Sequence, residues 1–395
     1  MARPAAGSRV GVQVSARVWR HFDVWLLAAV AAVTIASVAM IQSAIAGNEN
    51  LAELVPRQMI YALLGLVVIL VMAAIDYRFW SAVARPIYGI VLLLLGLILA
   101  AGFVGFGAAR WFNVGIVLIQ PSEVSKMLMV IVVADYLARH QHEVGRFRVF
   151  IRSLILTAVP VALVFLQPDL STAIVLGVIW VALVFASGGR LRHFLILLSI
   201  GALLLLLLSP LLVNYFTTGY PAGEDFFFVR RYQMQRIVTF VLPDPVSQYG
   251  ETYNVNQALI SIGSGGWFGQ GYAHGTQTQL RFLKVRHTDF IFSALSEEFG
   301  FVGAATLLLV LMFIIARCLR AARLARDHFG ALICYGVAAL LLFQSAVNIG
   351  MNLKLLPVTG LPLPFFSYGG SSLVASLLGI GMVESVILRH KRIEL

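Results

Sequence analysis

Asp289 is the residue of this chain best suited to chemistry, because it is a single carboxylate at the start of a long apolar stretch. The stretch begins FIFSAL and continues to about residue 315, and Lys284, Arg286 and His287 precede it. An ionisable group at the mouth of a membrane span is costly and is functional by default. A carboxylate there can serve as a general base. Burial would raise its pKa toward the useful range, whereas the neighbouring cations would lower it.

A second ionisable pair, Glu123 and Lys126, follows Gln120, Pro121 and Ser122 at the start of another apolar segment. Residues three apart share one face of a helix. The pair is either a structural ion pair or part of a polar cavity where Lys126 meets an anionic substrate. Proline and serine at such a place also suit an ordinary helix start.

Three other segments depart from plain apolar helix. The sequence QPDLST, residues 167–172, predicts a helix start with Asp169 in the capping position. The sequence GLPLPFFSYGGSS, residues 360–372, is irregular, and its bare amides before Ser371 and Ser372 form either an anion site or a close helix contact. The glycines at 263–275 follow no predicted strand, so the sequence does not favour a dinucleotide site there.

The composition places these segments in an integral membrane protein. Hydrophobic residues make up 60% of the 395 residues and charged residues only 12%, against roughly 25% charge in soluble domains. We predict an all-α polytopic membrane protein with both termini cytoplasmic. Its tails are residues 1–21 and 389–395, and a single domain, residues 22–388, contains a large extracytoplasmic loop at 217–288. The ten predicted spans are 22–46, 57–75, 87–104, 119–138, 153–166, 171–187, 194–216, 289–316, 330–352 and 366–388.

The distribution of Lys and Arg sets the predicted orientation. With the N-terminus inside, 19 of the 29 Lys and Arg fall in cytoplasmic segments, as the positive-inside rule requires. The net charge of +11 is then a consequence of topology, and no nucleic-acid partner is expected. All the unusual segments face outside. The aromatic and basic sequence at 226–243 predicts an amphipathic helix in the outer headgroup region.

Several of these motifs, taken in order, resemble one known family. They are QPSE with Lys126, QPDL, the glycine-rich block through GTQ at 275–277, RHTDFIF at 286–292, and GLPLPFFSYGGSS. The chain is similar over nearly its whole length to the SEDS family of cell-wall proteins, whose ten spans and large outer loop also match. GTQ and HTDFIF favour the elongation branch of the family over its division branch.

The resemblance implies a peptidoglycan glycosyltransferase that polymerises lipid II on the outer face of the bacterial cytoplasmic membrane. Its catalytic aspartate corresponds to Asp289, and its polar cavity residues correspond to Glu123 and Lys126. Implied partners are a class B penicillin-binding protein, which supplies transpeptidation, and other membrane proteins of the elongation complex. The chain departs from the family pattern at Lys284-Val285, at Ala109 and at Ser171, which affects substrate contacts rather than the reaction.

The implied reaction needs a base for the acceptor hydroxyl and positive charge for the departing pyrophosphate. Asp289 is the candidate base, and one carboxylate fits a single displacement with inversion. The candidate cations are Lys126, Arg110, Arg57 and Arg286, and a divalent cation (Mg²⁺ or Mn²⁺) at Asp289 is left open. Gln120, Ser122, His287, Thr288, Ser371 and Ser372 complete the predicted substrate-binding set. Two alternatives use the same residues differently: a lipid II flippase, and a non-catalytic scaffold for a penicillin-binding protein.

Overall fold

The computed structural model describes residues 19–101, 103–105, 108–114, 117–219, 231–241 and 251–390. Ten long helices in these ranges correspond to the ten predicted spans, so the prediction of a polytopic all-α membrane protein is confirmed. They are α1 (Val24–Ile45), α2 (Leu54–Ala74), α4 (Ala84–Ala101), α5 (Pro121–Arg139), α6 (Phe147–Leu166), α7 (Leu170–Ala186), α8 (Leu191–Asn214), α12 (Ile291–Leu324), α13 (His328–Asn352) and α14 (Gly370–Leu388).

Shorter elements lie between these helices. Four are α-helical: α3 (Tyr77–Ala82), α9 (Arg231–Val241), α10 (Glu251–Ser264) and α11 (Thr276–Gln279). Single turns lie at Trp19–His21, Glu49–Leu51 and Tyr215–Gly219. Three short strands, β1 (Phe103–Gly105), β2 (Ala108–Val114) and β3 (Val117–Ile119), pair in antiparallel order. This small sheet was not predicted. Part of the predicted helix 226–243 is observed as α9, and its remaining residues lie outside the described ones.

Length and apolar composition suffice for membrane crossing in seven of the long helices among the described residues, and α4 and α7 are shorter apolar helices. Helix α5 carries both Glu123 and Lys126 and is almost entirely buried. Because no water in the bilayer core can solvate such groups, charged helices must pack inside the bundle. Helices α13 and α14 are also mostly buried, whereas the most apolar stretch of α8 buries no residue. The site-bearing helices are therefore the central ones.

Helix α12 is interrupted one third of the way along, at Gly300. Its φ of +65° and ψ of −163° are not helical. The glycine-rich segment lies against this break: Gln270 N donates to Glu297 O at 2.9 Å, and Phe301 N donates to Gly266 O at 2.8 Å. The backbones approach so closely that a Cβ at Gly269 would lie 2.1 Å from Glu298 O. The glycines thus allow close backbone contact between this segment and α12.

Candidate functional site

Asp289 lies in the turn just before α12, and its side chain is half-buried. The N-cap of α12 is Phe290, and no side chain caps that helix end, so Asp289 is not simply a helix cap. Its backbone carbonyl accepts hydrogen bonds from Asn352 Nδ2 at 3.0 Å and from Asn348 Nδ2 at 3.3 Å. These two asparagines are one turn apart on α13. They fix the backbone of Asp289 and leave its carboxylate for other contacts.

The segment before α14 forms hydrogen bonds with His287 and Thr288, the two residues that precede Asp289. Tyr368 N donates to His287 O at 2.9 Å, and Ser367 Oγ donates to Thr288 O at 2.7 Å. The ring of Tyr368 also meets the ring of His287 edge-on at 6.0 Å. Burial, and then the charge of Arg286, lower the pKa of His287 to about 4. His287 is therefore neutral near pH 7 and supports Asp289 through its backbone.

Arg236, on α9, is the cation beside the Asp289 carboxylate. Its Nη1 donates to Thr359 O at 2.9 Å. A Cβ built on Gly360 would lie 3.7 Å from Arg236 Nη1 and 3.9 Å from Asp289 Oδ2, so both charges border the same glycine. Gly360 has a φ of +75°, a conformation that glycine adopts without strain.

Two opposing influences act on the pKa of Asp289. Desolvation by the surrounding protein is the larger one and raises the pKa of the carboxyl, although part of its surface is accessible. The charge of Arg236 and a hydrogen bond from Thr288 act in the other direction. Because desolvation dominates, the carboxyl is more basic than an aspartate in water. A raised pKa is what a general base requires.

The QPSE and QPDL motifs meet at Asp169. Its Oδ2 accepts from Gln120 Nε2 at 3.2 Å and from Ser122 Oγ at 3.3 Å. Its Oδ1 accepts from Thr172 N at 3.2 Å, so the predicted helix cap is present. The carboxylate of Asp169 therefore caps α7 and joins α5 to it.

Further hydrogen bonds connect this junction to the neighbourhood of Asp289. Gln120 N donates to Ser371 Oγ at 2.9 Å, at the start of α14. Ser171 Oγ donates to Thr359 O, the same carbonyl that Arg236 binds. The motifs of α5, α7, α9 and α14 and the turn before α12 thus lie together at one end of the bundle.

Glu123 and Lys126 form a buried ion pair, with Lys126 Nζ 2.7 Å from Glu123 Oε2. Lys126 is 1% exposed and Glu123 is 6% exposed. The ammonium has no further partner of hydrogen-bond geometry in the part of the chain that the structure describes. A buried pair with spare donor capacity is compatible with both interpretations of the motif, a structural pair and a cavity lining.

The other predicted cations have different surroundings. Arg286 is buried and donates to Ala44 O at the end of α1, and burial lowers its pKa. Arg57 pairs with Glu53 at 2.6 Å in an exposed position. Arg110 lies in β2, and its side chain is outside the described residues. Phosphate binding by these three residues stays a prediction.

The remaining predicted residues are Thr288, Ser372 and a metal site at Asp289. Thr288 Oγ1 donates to Val285 O at 3.3 Å, and Ser372 lies half-buried in the first turn of α14. Within the described ranges, no group of three or more His, Cys, Asp or Glu side chains could hold a metal ion. Any metal at Asp289 would need substrate oxygens as further ligands.

Sequence reasoning missed Arg236, Asn348 and Asn352 as parts of this site. Arg236 was assigned to an amphipathic surface helix, and its long-range contact with residues 359–360 leaves no local signal. Asn348 and Asn352 did leave one: two amides four apart in an apolar helix lie on one face. Buried amides need partners, and their spacing could have predicted a polar contact.

The chain is 37% identical over 372 residues to peptidoglycan glycosyltransferase MrdB of Escherichia coli (strain K12), which covers 94% of this chain and 95% of that protein. A solved chain from the work "Structural coordination of polymerization and crosslinking by a peptidoglycan synthase complex" superposes with a TM-score of 0.76 at 31% identity, covering 93% of this chain and 98% of that one. The crystal structure of the rod shape determining protein RodA of Thermus thermophilus superposes with a TM-score of 0.64 at 32% identity, covering 93% of this chain and 96% of that one.

Residues 19–392 match the family of cell cycle proteins that includes FtsW, RodA and SpoVE. This match spans all ten long helices and every segment of the site. The motif-based resemblance and the structural similarity therefore agree, and this chain belongs to the FtsW/RodA/SpoVE family, the SEDS family that its motifs indicated.

Proposed function

We propose that this protein is a peptidoglycan glycosyltransferase that polymerises lipid II during cell elongation, with Asp289 as the general base. Similarity to MrdB and RodA supports the reaction class. The observation that carries the assignment of the base is the half-buried carboxylate of Asp289. Its backbone is held by Asn348 and Asn352 and its pKa is raised by desolvation.

In the proposed reaction, the Asp289 carboxylate removes the proton from the acceptor sugar hydroxyl. That oxygen attacks the anomeric carbon of the donor sugar, the bond from this carbon to the pyrophosphate oxygen breaks, and the polyprenyl pyrophosphate leaves with the bonding electrons. One base and no second nucleophilic carboxylate correspond to inversion at the anomeric carbon. Glu123 is ion-paired with Lys126. It is therefore not positioned as a second, nucleophilic carboxylate, which supports a single displacement.

Positive charge for the leaving pyrophosphate is proposed to come from Arg236 and Lys126. Arg236 already borders the carboxylate of Asp289 through Gly360. The buried ammonium of Lys126 contacts Glu123 and could bind a phosphate oxygen at the same time. Fixed charges in a site with little water stabilise a developing anion more strongly than they would in solution. The predicted cations Arg57, Arg110 and Arg286 remain secondary candidates.

The deciding experiment compares purified wild type with Asp289→Asn in a lipid II polymerisation assay. The amide keeps the size of the side chain but is not a base, so we expect product formation to fall by at least about a hundredfold. An unchanged unfolding temperature would show that the variant is folded. Normal polymerisation by the folded variant would overturn the assignment of Asp289, and polymerisation by neither protein would favour a scaffold or a flippase.

A chelator arm of the same assay tests the metal. If Asp289 held Mg²⁺ or Mn²⁺, which would supply positive charge for the substrate phosphates, excess EDTA would abolish polymerisation and either ion would restore it. The described residues offer no cluster of three metal-binding side chains, so affinity for the ion in the absence of substrate is expected to be weak.

A crosslinking partner is also part of the proposal. The similar solved chain comes from a peptidoglycan synthase complex that coordinates polymerization and crosslinking. By that similarity we infer that this chain works beside a class B penicillin-binding protein in the bacterial cytoplasmic membrane, with the Asp289 end facing outside. Other elongation-complex membrane proteins would join the same assembly. Co-purification of a transpeptidase with the tagged full chain is the expected result.

A further inference from the structure

A pocket of about 290 Å³ lies at the end of the bundle opposite Asp289. The start of α1, the last turns of α12 and the end of α14 form it together. Between its break at Gly300 and Arg317 in the pocket lining, α12 is about 25 Å long, so this pocket is remote from the proposed catalytic site. The residues that line it are His21, Phe22, Asp23, Val24, Trp25, Arg317, Arg320, Ala321, Leu324, Ile387 and His390.

The charge available to a ligand in this pocket is positive. Arg320 is exposed and makes no hydrogen bond or ion pair within the part of the chain that the structure describes. The rings of His21 and His390 meet edge-on at 5.1 Å. Nδ1 of His390 donates to Ile387 O at 2.6 Å, so its Nε2 is the atom left for another partner. A phosphate oxygen could accept from the guanidinium of Arg320 and, when the ring of His390 is protonated, from its Nε2.

Asp23 and Glu384 are the acids near the pocket, and three of their four carboxylate oxygens accept hydrogen bonds. Asp23 accepts from Leu26 N at 3.1 Å through Oδ1 and from Arg317 Nε at 2.7 Å through Oδ2. Glu384 accepts from Asp23 N at 3.1 Å and is fully buried outside the lining. Asp23 is ion-paired with Arg317, and Glu384 does not line the pocket, so neither carboxylate attracts a cation into it. The group without such a partner is the guanidinium of Arg320.

The rim of the pocket is apolar. Trp25 is 71% exposed and Val24 is 65% exposed on the first turn of α1, where an aromatic side chain suits the membrane interface. A free inorganic ion needs no such rim. A basic pocket between helix ends, bordered by lipid-facing side chains, suits a lipid whose headgroup is anionic.

We propose that this pocket binds an anionic phospholipid of the adjacent leaflet, with its phosphodiester on Arg320 and His390 and its acyl chain along Trp25. The bound lipid would connect α1, α12 and α14, whose ends meet at Asp23, Arg317 and Glu384. This proposal does not depend on the reaction at Asp289.

The test uses the full chain in detergent, titrated with short-chain phosphatidylglycerol and followed by native mass spectrometry and by the unfolding temperature. Phosphatidylcholine with the same acyl chains and free glycerol phosphate are titrated in parallel. We expect saturable binding of phosphatidylglycerol that raises the unfolding temperature, and much weaker binding of the other two. Equal binding of phosphatidylcholine would overturn the proposal. Equal binding of glycerol phosphate would also overturn it, in favour of a free-anion site.

Arg320→Gln is expected to weaken phosphatidylglycerol binding about fivefold, the loss of roughly one cation–phosphate contact at a membrane surface. Arg323→Gln is the matched control, since Arg323 is an exposed arginine on the same helix end that does not line the pocket. It should change the affinity less than twofold. Equal effects of the two variants would mean diffuse surface charge and no site. Trp25→Ala should weaken phosphatidylglycerol binding and leave any residual glycerol phosphate binding unchanged.

Discussion

The backbone of Asp289 is held by hydrogen bonds, whereas its side chain is partly desolvated. The first feature fixes its position and the second raises its basicity, and a general base needs both. Its carbonyl is bound by two asparagines of α13, so the turn cannot move away from the helix. Its carboxylate instead loses hydration to the surrounding protein, which raises its pKa, and faces Arg236, which limits that rise. Position and basicity are thus controlled by different residues and can be tested separately.

The charge of Arg236 can be tested through the pH dependence of the reaction. The base must be deprotonated, so the rate should fall as the pH falls through the pKa of Asp289. Arg236→Gln removes the charge that lowers this pKa, and the acid limb of the turnover profile should therefore move to higher pH. Lys354→Gln is the control, because Lys354 lines a small cleft with Arg236 but is not among the groups that shift the pKa of Asp289. An unmoved limb in Arg236→Gln would disprove the coupling.

The Glu123–Lys126 pair offers a test that separates stability from chemistry. Lys126→Met leaves a buried carboxylate without its partner and should cost about 3–5 kcal/mol of unfolding free energy. The double variant Glu123→Gln/Lys126→Met removes both charges and should recover most of this loss. Glu143→Gln breaks the exposed Glu143–Arg146 pair at the same three-residue spacing, and should cost at most about 1 kcal/mol.

Polymerisation by the stable double variant then decides between the two interpretations of the motif. Wild-type activity would identify Glu123 and Lys126 as a structural pair. Lost activity at recovered stability would place Lys126 in contact with the substrate. A Lys126→Met variant as stable as wild type would contradict the buried pair itself.

At the scale of elements, the sequence predicted the ten long helices because each is a continuous apolar run between polar segments. It did not predict the sheet at residues 103–119, since residues 105–118 were assigned to the outer segment between the spans 87–104 and 119–138. Its β-branched and aromatic residues are typical of strands, but short apolar runs do not distinguish strand from helix. The motif residues were identified from their own segments, whereas the contact of Arg236 with Thr359 depends on the packing of distant segments.

The break in α12 gives a prediction at this scale. A Cβ at Gly269 would meet Glu298 O at 2.1 Å, and Gly269 has a φ of +82°. Gly269→Ala should therefore separate the glycine-rich segment from the break and lower the unfolding temperature by several degrees, the consequence of roughly 1–3 kcal/mol. Gly263→Ala is the control, because a Cβ there meets nothing within 4 Å. That change should be neutral or slightly stabilising, since alanine favours helix. Equal effects would argue against the close backbone contact.

At the scale of the whole molecule, the two ends of the bundle have different chemistry. One end holds Asp289, Arg236, Asp169 and the Glu123–Lys126 pair. The other end is rich in arginine, with Arg317 paired to Asp23 and Arg320 exposed. By the positive-inside rule we predict that the arginine-rich end is cytoplasmic and that the Asp289 end faces outside. A substrate delivered to the outer face could reach Asp289 without crossing the membrane.

This orientation can be tested by labelling single cysteines in intact cells with a membrane-impermeant maleimide. His274 is exposed in the segment that precedes Asp289, and Gln141 is exposed between α5 and α6 at the arginine-rich end. Cys318 and Cys334 are both buried, so the wild-type chain should give little background. We expect His274→Cys to be labelled in intact cells and Gln141→Cys only after the membrane is permeabilised. The reverse pattern would place Asp289 on the cytoplasmic side, where an extracytoplasmic polymerase could not use it.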